Sequence, residues 1–220
     1  MSNDQNEKKY WNSYYERISS DLKKSSKLVP SQFAAFVLSE FSEKKRFIDV
    51  GCGNGRDSFF FADHGKDVIG IDGSSVAVET CSREAEEKKY NNLQFKNVNL
   101  LDKAECIAVA NQLHEGWGDA IIYARFFLHA ITDEAEDNFL GFCKQIMGQN
   151  CRMCVEFRTN KDELLIKETA AHYRRFIDPI ALIEKLDALD MSVSYFAEGF
   201  GFAKYKEDNA YVARMIVENT

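Results

Sequence analysis

The sequence predicts an α/β fold: one doubly wound, seven-stranded sheet with its last strand antiparallel, preceded by a helical extension. Three observations predict it. Short strands that are apolar throughout alternate with helical segments, the pattern of a parallel sheet covered on both faces. A glycine-rich turn follows the first of these strands, where open α/β sheets receive ligands. The last two strand-like runs are joined by a short connection, GFGFAKYKED, which suits an antiparallel pair at the end of the sheet. Residues 1–30 are assigned to the helical extension, or lid, and residues 31–220 to the main domain.

The elements follow in order. Residues 1–8 are polar, and Tyr10, Trp11, Tyr14 and Tyr15 then form an aromatic stripe at i, i+4 spacing. After Pro30, SQFAAFVLSEF reads as an amphipathic helix with Ser31 as N-cap. RFIDV is the first strand, RDSFFFADHG a helix closed by Gly65, KDVIGID the second strand, and SSVAVETCSREAEEKKY a long helix. NLQFKNVNL is the third strand, followed by a helix through AECIAVANQL, and DAIIYA is the fourth strand. DEAEDNFLGFCKQIM is a helix with acids in its first turn, and CRMCVEF is the fifth strand. A charged stretch, RTNKDELLIKETAAHYRRF, precedes a helix with Asp178 as N-cap and Pro179 at its first position. MSVSYFAEG and NAYVARMIV are the sixth and seventh strands.

The composition narrows the function. The 220 residues are 45% hydrophobic and 29% charged, with a net charge of −7 and no long Lys/Arg cluster. That balance argues against a nucleic-acid or anionic-membrane binder. MSNDQNEKKYWNSYYER lacks the apolar core of a signal peptide, and no run reaches the roughly 20 apolar residues of a membrane span. Six scattered cysteines fit reduced thiols in a cytoplasmic protein. Cys151 and Cys154 form a C-x-x-C, but strand alternation sends them to opposite faces and no second pair follows, so no metal site is expected.

The turn FIDVGCGNGRD carries the chemistry. A dinucleotide fingerprint, G-x-G-x-x-G, requires a small residue where Arg56 stands when counted from Gly51. A Walker loop is excluded because no G-K-[ST] follows. What remains is D-x-G-x-G-x-G, made by Asp49, Gly51, Gly53 and Gly55, and with it the chain resembles the class I S-adenosylmethionine-dependent methyltransferases of small-molecule type over roughly residues 30–217. The resemblance implies S-adenosylmethionine as cofactor and S-adenosylhomocysteine as product. It implies that Asp49, Gly51, Cys52, Gly53, Asn54 and Gly55 cradle the methionine end, while Asp57 complements the helix dipole. Asp72 ends the second strand 17 residues beyond Gly55, with Gly73 and Ser74 beside it, and its carboxylate suits the ribose diol. At the third strand the family's adenine-facing acid is replaced by Asn99, followed by Leu100. Asp102 is the competing position, and it equally suits an N-cap. The aromatic stripe reads either as helix packing or as a cover in which Tyr15 bonds the cofactor carboxylate.

After the fourth strand, IIYARFFLHAIT places Tyr123, Arg125 and His129 where the family brings cofactor and acceptor together. Arg125 reads as a cofactor or acceptor contact, or as a structural ion pair. His129 reads as general base, acceptor ligand or structural histidine. Glu156 and Arg158 flank the end of the fifth strand, and HYRRF adds His172, Arg174 and Arg175. On its own that cluster is a charged surface loop; beside Arg125 and His129 it reads as an anion site. The expected activity is O-methylation of a small polar, sugar-like acceptor bearing phosphate or carboxylate. A thiol acceptor and a catalytically silent cofactor-binding protein are the alternatives. No N-P-P-[YF] motif of the amino-directed enzymes occurs at the fourth strand; IIYARFF stands there.

Overall fold

The computed structural model describes residues 10–17, 29–165, 167 and 173–220. Helix α1 covers residues 10–17. It is followed by α2 (Gln32–Glu40), β1 (Arg46–Val50), α3 (Arg56–Asp63), β2 (Asp67–Asp72), α4 (Ser75–Glu87), β3 (Leu93–Asn97), α5 (Lys103–Trp117) and β4 (Ile121–Arg125). Next come α6 (Asp133–Ile146), β5 (Arg152–Arg158), α7 (Pro179–Asp187), β6 (Met191–Gly199), β7 (Lys204–Tyr205), β8 (Asp208–Asn209) and β9 (Val212–Asn219). Ser31, Ser74, Asp102, Thr132 and Asp178 cap α2, α4, α5, α6 and α7 by accepting from backbone N–H groups of the first turn.

The main sheet runs β3-β2-β1-β4-β5-β9-β6. β1 to β5 pair in parallel, and β9 runs antiparallel between β5 and β6. The order reverses between β1 and β4, so their carboxyl ends open a crevice at the switch point. One apolar layer joins the sheet to α5, α6 and α7 through Ile48, Val50, Leu113, Phe139, Leu182 and Met215. The other joins it to α2, α3 and α4 through Phe33, Phe47, Phe61, Ala85, Tyr123 and Ile216. Period-2 alternation divides every central strand between these layers, and Cys151 and Cys154 fall on opposite sides as expected. All six cysteines are buried and free. Among the described residues no helix is long and apolar enough to cross a membrane, and no group of three or more His, Cys, Asp or Glu is placed to hold a metal ion.

Two segments depart from the sequence reading. The third strand ends at Asn97, not at residue 100: residues 98–101 leave the sheet edge and turn under the crevice, with Val98 and Leu100 still buried. The seventh strand begins at Val212, because Asp208 and Asn209 pair with Tyr205 and Lys204 in a small hairpin. The β6–β9 connection therefore carries an element of its own beside the crevice.

Candidate active site

Two adjoining clefts lie over the carboxyl ends of the parallel strands. The first, enclosing about 860 Å³ with part open to solvent, is bounded by the β1 and β2 turns, residues 98–101 and the chain after β4. The backbone of the β1 turn is left-handed at Gly51 (φ 71°) and Gly53 (φ 55°). A Cβ at Gly51 would stand 2.4 Å from the Phe127 ring, and one at Gly53 would stand 2.5 Å from the Tyr15 hydroxyl. Conformation and close approach both require glycine at these two positions.

Asp72 ties this turn to the next. Its Oδ2 accepts from the Gly53 N–H at 2.9 Å and its Oδ1 from the Ser74 N–H at 2.8 Å. Burial pushes its carboxyl above the usual range, against the pull of these two N–H donors. Each oxygen keeps a further lone pair for a hydroxyl in the cleft. Asp49 lies deeper, accepting from Ser58 Oγ at 2.5 Å, and burial pushes it up to about 7. Asn99 and Leu100 line the far wall. Helix α1 closes the near wall: Trp11 and Tyr15 enter the cleft, and Ser74 Oγ donates to Asn12 Oδ1 at 2.6 Å.

The second cleft, about 1890 Å³ and also open, shares Trp11, Phe126 and Ala130 with the first. Among the described residues, Arg17, Arg56, Arg125, Arg158, Arg174 and Lys204 line it, with His129, and Asp208 is the acid on its wall. The balancing carboxylates stand behind the arginines. Glu156, 1% exposed, accepts from Arg125 Nε at 2.8 Å and from Arg214 Nε at 2.7 Å. Asp57 pairs with Arg56 at 3.3 Å and accepts from Ser31 and Tyr123. Burial raises the Asp57 carboxyl, but Arg56, Arg125 and Ser31 outweigh it and the net shift is downward. Arg158 donates to Asp162 and to Asp208, both at 2.6 Å. Burial, then the neighbouring Arg158, lowers the Arg174 guanidinium from its usual value.

Phe126 stands at the junction of the two clefts. Its φ of 55° is left-handed, a strained conformation for a bulky residue. The Phe126 N–H donates to the Glu156 carbonyl at 2.7 Å, and the Arg125 guanidinium lies 4.3 Å above its ring. Strained backbone held in place at the boundary of two cavities is a feature of functional sites.

Residues 41–159, more than half of the chain, match the family model described as a methyltransferase domain. The chain belongs to this methyltransferase family. No curated protein matches the sequence. Solved structures share the methyltransferase's fold. A SAM-dependent methyltransferase from Anabaena variabilis is 20% identical and matches over 97% of this chain and 95% of its own, with a TM-score of 0.69. A TehB-like SAM-dependent methyltransferase from Corynebacterium glutamicum is 12% identical over 96% and 98%, with a TM-score of 0.65. Magnesium protoporphyrin IX methyltransferase from Synechocystis, with S-adenosylhomocysteine bound, is 15% identical over 92% and 83%, with a TM-score of 0.59.

S-adenosylhomocysteine is bound in the Synechocystis enzyme, and S-adenosylmethionine is the cofactor that the sequence resemblance leads one to expect. The first cleft fits it: a glycine turn with no room for Cβ atoms, a buried acid with unused lone pairs at the β2 end, and an apolar wall from Ile71, Val98 and Leu100. Of the residues expected at the cofactor, Tyr15, Gly51, Asp72, Gly73, Ser74, Asn99 and Leu100 line this cleft. Cys52, Gly53, Asn54 and Gly55 belong to the turn after β1, and Asp49 lies within β1; Gly53 lies under the Tyr15 hydroxyl. Of the residues expected at the acceptor, Arg125, His129, Arg158 and Arg174 meet in the second cleft.

Four positions differ from the sequence reading. Tyr123 is fully buried against α2 and α3, because alternation turns it away from the crevice, and its hydroxyl donates to Asp57 at 2.8 Å. Asp102 caps α5, accepting from the Ala104 and Glu105 N–H groups. Glu156 holds two arginines and does not face the cleft. Arg175 turns toward α6, donating to Asp133, to Glu136 at 2.5 Å and to the Leu128 carbonyl. His172 lies outside the described residues. Arg17, Arg56, Phe126 and Phe127 also line the clefts, although the sequence did not single them out as site residues. The FF pair after β4 was the available signal for the two phenylalanines. Lys204 reaches the second cleft because the hairpin brings it there.

Proposed function

We propose that the protein methylates an oxygen of a small anionic acceptor held in the second cleft. The observation that carries this reading is the polarity of that cleft: among the described residues six cationic side chains and one acid, Asp208, line it, while Glu156, Asp57 and Asp162 stand behind the cations. In a protein of net charge −7 such a wall is a local device. Arginine forks suit carboxylate and phosphate oxygens. Tyr10, Trp11, Tyr14, Phe126, Phe202 and Tyr205 surround the cations, which favours an acceptor whose anionic group is carried on a flat or apolar body.

S-adenosylmethionine, when bound, supplies an electrophilic methyl group. The chain's own residues bind and align. Asp72 accepts from vicinal hydroxyls, the Gly51–Gly53 turn allows backbone approach, and Asn99 offers an amide to the base. Residues 1–30 act as a lid: α1 puts Trp11 and Tyr15 on the cofactor side and Tyr10, Tyr14 and Arg17 on the acceptor side. Covering the junction excludes water, and Arg125 and Arg174 fix the acceptor; alignment of this kind supplies much of the acceleration of a displacement.

The test is calorimetry on protein saturated with S-adenosylhomocysteine, titrated with carboxylates, monophosphates and their neutral amides or alcohols. The anions are expected to bind and the neutral analogues to bind at least about tenfold more weakly, with Arg174→Ala removing that preference. Equal affinity for neutral and anionic probes, or a preference for thiols, overturns the reading.

A further inference from the structure

Two arginines on the wall of the second cleft, Arg56 and Arg125, are tied back by the same atom. Arg125 Nε donates to Glu156 Oε1 at 2.8 Å, and Arg56 Nε donates to Asp57 Oδ1 at 3.3 Å. The Arg125 guanidinium also lies over the Phe126 ring, so one edge and one face of it are held. Among the described residues no acceptor meets the Nη nitrogens of either side chain. Arg158 on the same wall differs: its Nη1 and Nη2 donate to Asp162 and Asp208, and its fork is occupied. Behind the wall, Arg214 Nε donates to the second oxygen of Glu156 at 2.7 Å, and the Glu156 side chain is 0% exposed. Burial raises the Asp57 carboxyl, but Arg56 and then Arg125 outweigh it, which couples Asp57 to both arginines. Among the described residues these contacts join three guanidinium groups, Arg56, Arg125 and Arg214, to two carboxylates, Asp57 and Glu156. One positive charge is left in excess in a largely buried set, a costly state until an anion meets it.

We propose that Arg56 and Arg125 form a subsite for one carboxylate, held by their Nη nitrogens, and that Glu156 is the positioning residue that aims Arg125 at it. A carboxylate has one charge and two coplanar oxygens, which match the excess charge and the guanidinium forks. A phosphate dianion would reverse the excess. Because the Nε anchors set both forks before a ligand arrives, little side-chain freedom is lost on binding. Two molecules bring a carboxylate to this place. One is the acceptor, for which the inference rests on the anionic-acceptor reading above and narrows it. The other is S-adenosylmethionine, the expected cofactor, through its aminoacyl end. The first cleft is lined by no Lys or Arg among the described residues, Arg56 directly follows the glycine turn, and Phe126 beneath Arg125 lines both clefts.

The test is calorimetry on the full-length protein with three probes. They are S-adenosylhomocysteine, 5′-methylthioadenosine, which keeps the nucleoside and lacks the aminoacyl end, and benzoate titrated into the S-adenosylhomocysteine complex beside phenyl phosphate. Arg125→Met is expected to weaken a carboxylate probe by about tenfold or more, the loss typical of hydrogen bonds to a charged group, and to leave 5′-methylthioadenosine within about twofold. Glu156→Gln keeps the size of the side chain but turns an amide N–H toward one arginine, and the same selective loss is expected. Arg56→Gln changes the more exposed arginine of the two, so it keeps the test in hand where a buried substitution costs the fold. A loss confined to benzoate assigns the subsite to the acceptor. A loss confined to S-adenosylhomocysteine assigns it to the cofactor, and the anionic-acceptor reading then loses these two arginines. Losses that fall equally on 5′-methylthioadenosine make the residues merely structural and overturn the proposal. Unchanged affinity for both carboxylates overturns it too, as does phenyl phosphate binding more tightly than benzoate and showing the loss in its place. If benzoate does not bind the unaltered protein, the anionic-acceptor reading fails for carboxylates by itself, and S-adenosylhomocysteine still decides the subsite.

Discussion

Asp49 and Asp72 are both acids at strand ends beneath the same crevice, and their surroundings separate them. Asp72 accepts from two backbone N–H groups that favour its charged form. Asp49 has the Ser58 hydroxyl in that role, while burial, Asp57 and Asp72 push it up to about 7. Between the unfolded value of 3.8 and about 7, the folded chain holds a proton at Asp49 that the unfolded chain has released. Its contribution to stability is therefore complete below the unfolded value and is lost as pH rises through about 7. Asp49→Asn should remove this loss, so the Tm of the variant relative to the unaltered protein should climb from pH 5 to pH 8. A constant difference across that range would show that Asp49 ionises normally. At the residue scale the sequence was most legible where backbone geometry sets the choice, at Gly51, Gly53 and Asp72. It was least legible where a side chain has two equally good uses. Asp102 was offered as adenine ligand or N-cap, and its Oδ1 caps α5 by accepting from the Ala104 and Glu105 N–H groups. Glu156 was read as an acceptor ligand. Strand register places it opposite Arg125 on one side and Arg214 on the other, a fact no local pattern carries.

The β7–β8 hairpin is the element that most changes the site, since it delivers Lys204, Tyr205 and Asp208 to the second cleft. It is fastened by the buried bridge from Arg158 to Asp208, and Arg158 is held in turn by Asp162, whose other oxygen accepts from the Tyr211 N–H at 2.7 Å. Removing Asp208 leaves Arg158 its bond to Asp162 but strips the second guanidinium nitrogen of its buried acceptor, at a cost of about 2 kcal/mol. Asp208→Ala is therefore expected to lower Tm by roughly 6 °C, measured by calorimetry. Lys161→Ala, which removes the exposed partner of Glu198, should leave Tm unchanged. If the two variants behave alike, the hairpin is not held by the buried bridge. The strands and helices themselves were visible in the sequence because apolar runs and capping residues recur at each boundary. The hairpin was not, because two residues per strand are too few to show a period. Residues 98–100 were misread as strand because their apolar side chains serve the core after the backbone has left the sheet.

Across the whole molecule the labour is divided. Stability resides in two apolar layers on the faces of one sheet, and neither layer includes α1. That helix instead covers both clefts, joined to the body through Asn12 and Ser74 and through the contact of Tyr15 with Gly53. Deleting residues 1–20 should consequently weaken S-adenosylhomocysteine binding by about tenfold or more in calorimetry, while Tm of the ligand-free protein falls by only about 3 °C. Parallel losses in both would make α1 an ordinary packing element. The sequence by itself determined the order of strands and helices, the glycine turn and the acid at the end of β2, because these depend on periodicity and on backbone freedom within a few residues, and the resemblance they carry gave the expected methyl donor. Only the tertiary structure decided which arginines line the second cleft and which one turns to α6. Arg125, Arg158, Arg174 and Arg175 are chemically alike in the sequence, and strand register, the hairpin and the packing of α6 set the separate surroundings in which each one acts.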